Sequence, residues 1–178
     1  MYQRSKAKGE EVLQASPLDW TVLRPSVMFG EGDRFLTLFA RLQSVLPIMP
    51  LAGADTLFQP VWVGDVVSAI VQCLQRDDTA RRTFEICGPD RFTLRQLVKL
   101  AGSVSGHRRP VIGLPTPLAQ LQAFLMELAP GQPLMSRDNL DSMKVNNVAS
   151  GSLPGLDVLG ISPSALRDIA PTYIGRRR

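Results

Sequence analysis

Tyr2 and Lys6 stand four residues apart in YQRSKAKGEEVLQ, and on a helix that spacing puts both side chains on one face. A free phenol titrates at about 10 and is a poor base at neutral pH. A cation one helical turn away favours the phenolate, so such a pair can exchange a proton with a carbonyl or hydroxyl. An exposed amphipathic helix can also carry a Tyr and a Lys at this spacing by chance. His107 stands alone beside Arg108-Arg109 after Gly106 and reads as a surface-loop residue. Cys73 and Cys87 lack metal-ligand spacing and read as buried free thiols of a reducing compartment, so no metal site is expected.

The element that must face this pair is WTVLRPSVMFGEG, Trp20–Gly32. Trp20, Val22 and Leu23 predict a short buried strand, ended by Arg24-Pro25 because proline cannot donate to a ladder. Gly30 and Gly32 bracket a tight turn. The first helix is expected from about Tyr2 to Ala15, closed by Ser16-Pro17. Phe35, Leu36, Phe39, Leu42 and Leu46 recur at helical spacing until Pro47. Ile48-Met49 and Leu57–Val63 read as extended, and Asp65 as the cap of a helix burying Val66, Val67, Ile70, Val71 and Leu74. Arg81–Cys87 and Val111–Leu114 read as strands. Thr93 is expected to cap a helix with Leu94, Leu97, Val98, Ala101 and Val104 inward. Leu118, Leu121, Leu125 and Leu128 form a stripe on the next helix. Asp138–Lys144 reads as a short helix, Gly151–Gly160 as a loop, and Ser162-Pro163 as the opening of a last helix that ends before Pro171.

With 178 residues, 44% hydrophobic and 20% charged, the chain is globular material able to bury a core. The net charge of +4 includes Arg176-Arg177-Arg178, which reads as a solvated tail and not as a nucleic-acid site. No apolar run approaches the roughly 20 residues that span a bilayer, and the N-terminus does not read as a signal peptide. A cytoplasmic protein is expected, or one peripheral to the inner membrane.

YQRSKAKGEEVL, LRPSVMFGEGDRF, FQPVWVGDVVSAI and FEICGPDRFTLRQLV, in this order, resemble the second half of extended or atypical short-chain dehydrogenases/reductases. Within that superfamily of NAD-dependent epimerases and dehydratases they are most similar to bacterial relatives of the 39-kDa accessory subunit of respiratory complex I. The resemblance implies an α/β fold: the C-terminal part of a Rossmann-like doubly wound sheet, its first five strands absent, plus a mostly helical small lobe. The lobes are expected at 1–88 and 89–178, with a soft boundary and interleaved chains.

By matching position the resemblance makes Tyr2 the acid/base, Lys6 its partner and a ligand of the nicotinamide ribose, and Pro25, Ser26 and Val27 the turn beside the nicotinamide. It implies NAD or NADP as cofactor and hydride transfer as the reaction. The other reading is a non-catalytic, NAD(P)H-holding structural or assembly protein of complex I or the quinone pathway. Val27 stands where sugar-nucleotide members carry an Asn, and Phe58 where they carry an Arg that grips phosphates, which argues against a nucleotide-sugar substrate. Phe58, Trp62, Phe124, Leu125 and Met126 would suit an apolar ligand such as a quinone or lipid, or a respiratory-chain partner, but read equally as core. The sequence contains no Gly-x-x-Gly-x-x-Gly turn for a pyrophosphate. The chain thus reads as a fragment, expected to be inactive alone, not to bind NADH or NADPH at micromolar levels, and to be marginally stable.

Overall fold

The structure, a computed structural model, describes residues 2–127, 140 and 143–174, with side chains described for 5–121, 140 and 143–174. In chain order the main elements are α1 (Tyr2–Gln14), β1 (Thr21–Pro25), β2 (Met28–Phe29), α2 (Leu36–Val45), β3 (Met49–Leu51), β4 (Leu57–Phe58), β5 (Val61–Trp62), α3 (Val63–Gln75), β6 (Arg82–Ile86), β7 (Phe92–Thr93), α4 (Leu94–Val104), β8 (Val111–Gly113), α5 (Thr116–Glu127) and α6 (Leu166–Tyr173). Short 3-10 turns at Asp77–Thr79 and Asp157–Leu159 complete the described elements. The strands pair two by two: β1–β6, β2–β5 and β3–β8 in parallel, β4–β7 antiparallel.

Parallel β1 and β6 run in register from Thr21↔Arg82 to Pro25↔Ile86. The expected strand from Trp20 to Leu23 is therefore shifted and takes in Arg24-Pro25. The ladder tolerates Pro25 because the next N–H towards β6 is that of Ser26, which donates to the Ile86 carbonyl at 3.0 Å. Pro25 nitrogen then faces the other edge, where no donor is used. That edge has no strand partner among the described residues, so Thr21, Val22 and Leu23 are half-buried and not buried.

Two apolar cores hold the elements. One gathers Phe29, Leu36, Phe39, Met49, Leu51 and Phe92 with the inner face of α4 and with Leu166, Ala170 and Ile174 of the C-terminal segment. The other packs Val61, Val66 and Ala69 against Phe84 and Ile86, roofed by Leu156 and Leu159. Both draw on residues from either side of Gly88. At Gly88 itself a Cβ would lie 1.9 Å from the Pro60 carbonyl oxygen, so only glycine permits the two backbones to pass this closely. Phe58 and Trp62 pack against the first core, Phe58 with its ring 5.8 Å from Phe35, so these two are packing residues and not ligand-facing ones. The side chains of Phe124, Leu125 and Met126 lie outside the described residues.

Asp65 does not cap α3. The helix starts two residues earlier, at Val63, which places Asp65 inside its first turn. There the buried carboxylate accepts the Ser164 N–H at 2.7 Å and the Ser164 hydroxyl at 3.1 Å, tying α3 to the segment before α6. Of the expected inner face only Val66 is buried, with Ala69 beside it; Val67, Ile70, Val71 and Leu74 are exposed. A helix apolar nearly all round belongs in an interior, and among the described residues nothing covers this second face. The expectation that α6 stops before Pro171 also fails. Pro171 lies within α6, where the carbonyl it leaves unbonded belongs to solvent-exposed Arg167.

Candidate functional site

The carboxyl ends of β1 and β6 open onto a shallow cleft of about 180 Å³, lined by Arg24, Pro25, Ser26, Glu85, Cys87 and residues 146–149. In open α/β sheets this end of parallel strands is where ligands bind. The turn after β1 is held by a residue far along the chain. Ser26 Oγ donates to Asn147 Oδ1 in a short hydrogen bond, and the Val27 N–H donates to the same oxygen at 3.2 Å. Asn147 is itself fixed by its backbone: its N–H donates to the Leu57 carbonyl at 2.8 Å, and its carbonyl accepts the Gln59 N–H at 2.9 Å. Gln59 continues the network, donating to the Gly88 carbonyl at 2.8 Å and accepting the Ala149 N–H at 3.0 Å.

With Oδ1 used twice, Asn147 presents its Nδ2 amide as a donor that no described residue takes up. On the far wall the Glu85 carboxylate accepts the Ser150 N–H and hydroxyl at 2.8 and 3.0 Å. Burial raises the Cys87 thiol above its ordinary value, and the Glu85 charge adds to that rise. Cys87 is thus a neutral thiol at neutral pH, a wall and not a nucleophile. Both cysteines are free, and no group of His, Cys, Asp or Glu among the described residues could hold a metal.

An ion pair ties helix α1 to the rim of this cleft. Arg24, on the rim, grips Glu10 with its Nη2 at 2.6 Å and its Nε at 3.1 and 3.2 Å from the two carboxylate oxygens. Lys6 lies one turn before Glu10 and is exposed. At about 1.5 Å of rise per residue, Lys6 is some 6 Å and Tyr2 some 12 Å along the axis from this mooring. Tyr2 begins the helix, but its side chain lies outside the described ones. Of the expected site residues, Pro25, Ser26 and the Val27 backbone meet at the cleft, whereas Lys6 is not among its lining residues. Asn147 was not anticipated; the polar doublet Asn146-Asn147 between Val145 and Val148 was the available sign.

No protein-family model matches the sequence. The chain is 34% identical over 165 residues to the mitochondrial NADH dehydrogenase [ubiquinone] 1 alpha subcomplex subunit 9 of Rattus norvegicus, covering 92% of this chain and 44% of that protein. It is 30% identical over 170 residues to the mitochondrial NADH-ubiquinone oxidoreductase 40 kDa subunit of Neurospora crassa, covering 96% and 44%. The chain therefore spans less than half the length of these relatives. Among solved structures, the epimerase Mth375 of Methanothermobacter thermautotrophicus matches with a TM-score of 0.70 at 14% identity, over 98% of this chain and 48% of that one. A dTDP-4-dehydrorhamnose reductase of Bacillus anthracis, solved with NADP, matches with a TM-score of 0.66 at 16% identity, over 99% and 55%. The chain is thus similar to these complex I subunits over about 44% of their length, and its Rossmann-like fold is that of the two solved structures.

Proposed function

We propose that this chain forms the nicotinamide-side wall of an NAD(P)(H) site in a short-chain-dehydrogenase-type oxidoreductase. The observation that carries the reading is the clamp of Ser26 and Val27 on Asn147, which fixes the turn at the carboxyl end of parallel β1–β6 and leaves the Asn147 Nδ2 as a spare donor. A carboxamide oxygen needs such a donor, and the fit is to the nicotinamide end of the cofactor. A bound nicotinamide would supply the hydride chemistry. In this reading Lys6 holds the ribose and favours the Tyr2 phenolate, Tyr2 moves the proton at the substrate oxygen, and Pro25, Ser26 and Val27 form the turn against the nicotinamide. The 178 residues include no glycine-rich turn for the pyrophosphate, so affinity in this chain alone is low.

Amide chemical shifts test the proposal. Millimolar NADPH should move the Ser26, Val27, Cys87 and Ala149 resonances with a Kd weaker than about 10 μM. Unmoved cleft amides would sink the proposal, and a tight isotherm would sink the account of its missing contacts. In a protein carrying the relatives' full length, Tyr2→Phe should cut turnover by about two orders of magnitude or more while sparing cofactor affinity, and Lys6→Ala should weaken both. A second reading, a cofactor-holding structural protein without turnover, is favoured by the relatives' names as complex I subunits. NADPH binding with no turnover across ketone, quinone and acyl substrates would select it.

A further inference from the structure

Outside the cleft's lining, the end of α2 and the β3–β8 pair carry an apolar patch with arginines in the same segments. Cross-strand pairing sends Met49 and Val111 inward and turns Pro50 and Ile112 out, with Ile112 exposed. Val45, 80% exposed, and exposed Leu46 and Ile48 sit immediately before β3. The Met49 N–H bonded to the Pro110 carbonyl at 2.9 Å, and Arg109 Nε bonded to the Gln43 carbonyl at 3.1 Å, bring the two segments together. Arg41 lies one turn before Val45 on α2, and exposed Arg108 and Arg109 precede β8. From residue 34 to 54 and from 91 to 126 the sequence has no Asp or Glu, so every formal charge in these stretches is positive.

We propose that this patch is a membrane-surface contact, in which Val45, Leu46, Ile48 and Ile112 enter the interfacial layer of an anionic bilayer while Arg41, Arg108 and Arg109 meet its headgroups. Branched aliphatic side chains with arginines close by in the same segments match a surface that is negative outside and apolar beneath. The patch suits an adaptable layer better than a protein. Pro47, Pro50 and Pro110 have no N–H to offer, which blocks strand addition at this edge. The patch also holds no Tyr or Trp, the side chains that anchor protein interfaces.

Co-sedimentation of the full chain with phosphatidylcholine vesicles, with and without about 30% phosphatidylglycerol, tests the proposal. Binding should require the anionic lipid and fall away in about 0.5 M NaCl. Arg41→Gln and Arg108→Gln should each weaken it about fivefold, and Ile48→Ser with Ile112→Ser about tenfold. Leu74→Ser, on the other exposed apolar face, should leave it unchanged. Arg41 and Arg108 are exposed, so their variants report on the patch even if the isoleucine pair unsettles the fold. Absence of binding to the anionic vesicles would overturn the proposal, as would binding that follows Leu74 and ignores the isoleucines. Equally tight binding to polyglutamate, indifferent to the isoleucine substitutions, would point to an acidic macromolecule and overturn it too.

Discussion

Asp65 is a buried carboxylate whose two oxygens both accept from Ser164, which adds a polar tie to the apolar packing of α3 on the segment before α6. Asp65→Ala leaves a part-buried N–H and hydroxyl without an acceptor, a loss of about 1–3 kcal/mol. Urea unfolding should show a lowered midpoint with an unchanged slope; a midpoint equal to the parent's would refute this role. Ser164→Ala should cost less, since its backbone N–H keeps the carboxylate. At this scale the sequence is a fair guide to residue type and a poor guide to partner. Asp65 is visible as an acid near a helix start, but its acceptor role depends on a serine 99 positions away. Pro25 and Ser26 are legible as a turn because turn chemistry is local. Asn147 is not, because nothing around it hints that its oxygen reaches Ser26 and Val27.

Among the elements, α4 is the one whose local sequence and tertiary setting agree at every point. Thr93 accepts the Gln96 N–H at 3.2 Å, Gln96 returns the bond to the Thr93 N–H at 2.7 Å, and Leu94, Leu97, Val98 and Ala101 are buried. Thr93→Ala should cost about 1 kcal/mol, read as a lower melting temperature with the fold retained; Gln96→Ala should recover part of that difference by keeping the threonine cap. The same reasoning worked for α2 and β8 within a residue or two, since a helical stripe or short β-rich run bounded by proline fixes type and extent together. It failed for α3 and α6 for two separate reasons. Periodicity reveals that both faces of α3 are apolar without saying which finds a partner. Proline stops a helix only where its missing bond matters, and in α6 the affected carbonyl belongs to an exposed residue.

At the scale of the molecule, the open edge of β1 and the exposed stripe of Val67, Ile70, Val71 and Leu74 are both features that folded chains normally cover. Burying one such side chain is worth roughly 1.5–3 kcal/mol, against a typical total margin of about 5–15. The chain by itself should therefore self-associate at high concentration, and Val67→Lys with Leu74→Lys should restore a monomer in sedimentation velocity. A dilute monomer that melts sharply above about 60 °C would contradict this. The clamp between Ser26 and Asn147 also bears on how the molecule is made, since its two halves are separated by 121 positions. At synthesis rates of about 5–20 residues per second, Ser26 is polymerised roughly 6–24 s before its partner. The β1–β6 pair can close during that interval, but the turn above it has nothing to hold it. The site is thus completed late, after the sheet beneath it, and a chain interrupted anywhere between Ile86 and Asn147 would present a paired sheet with an unshaped ligand end.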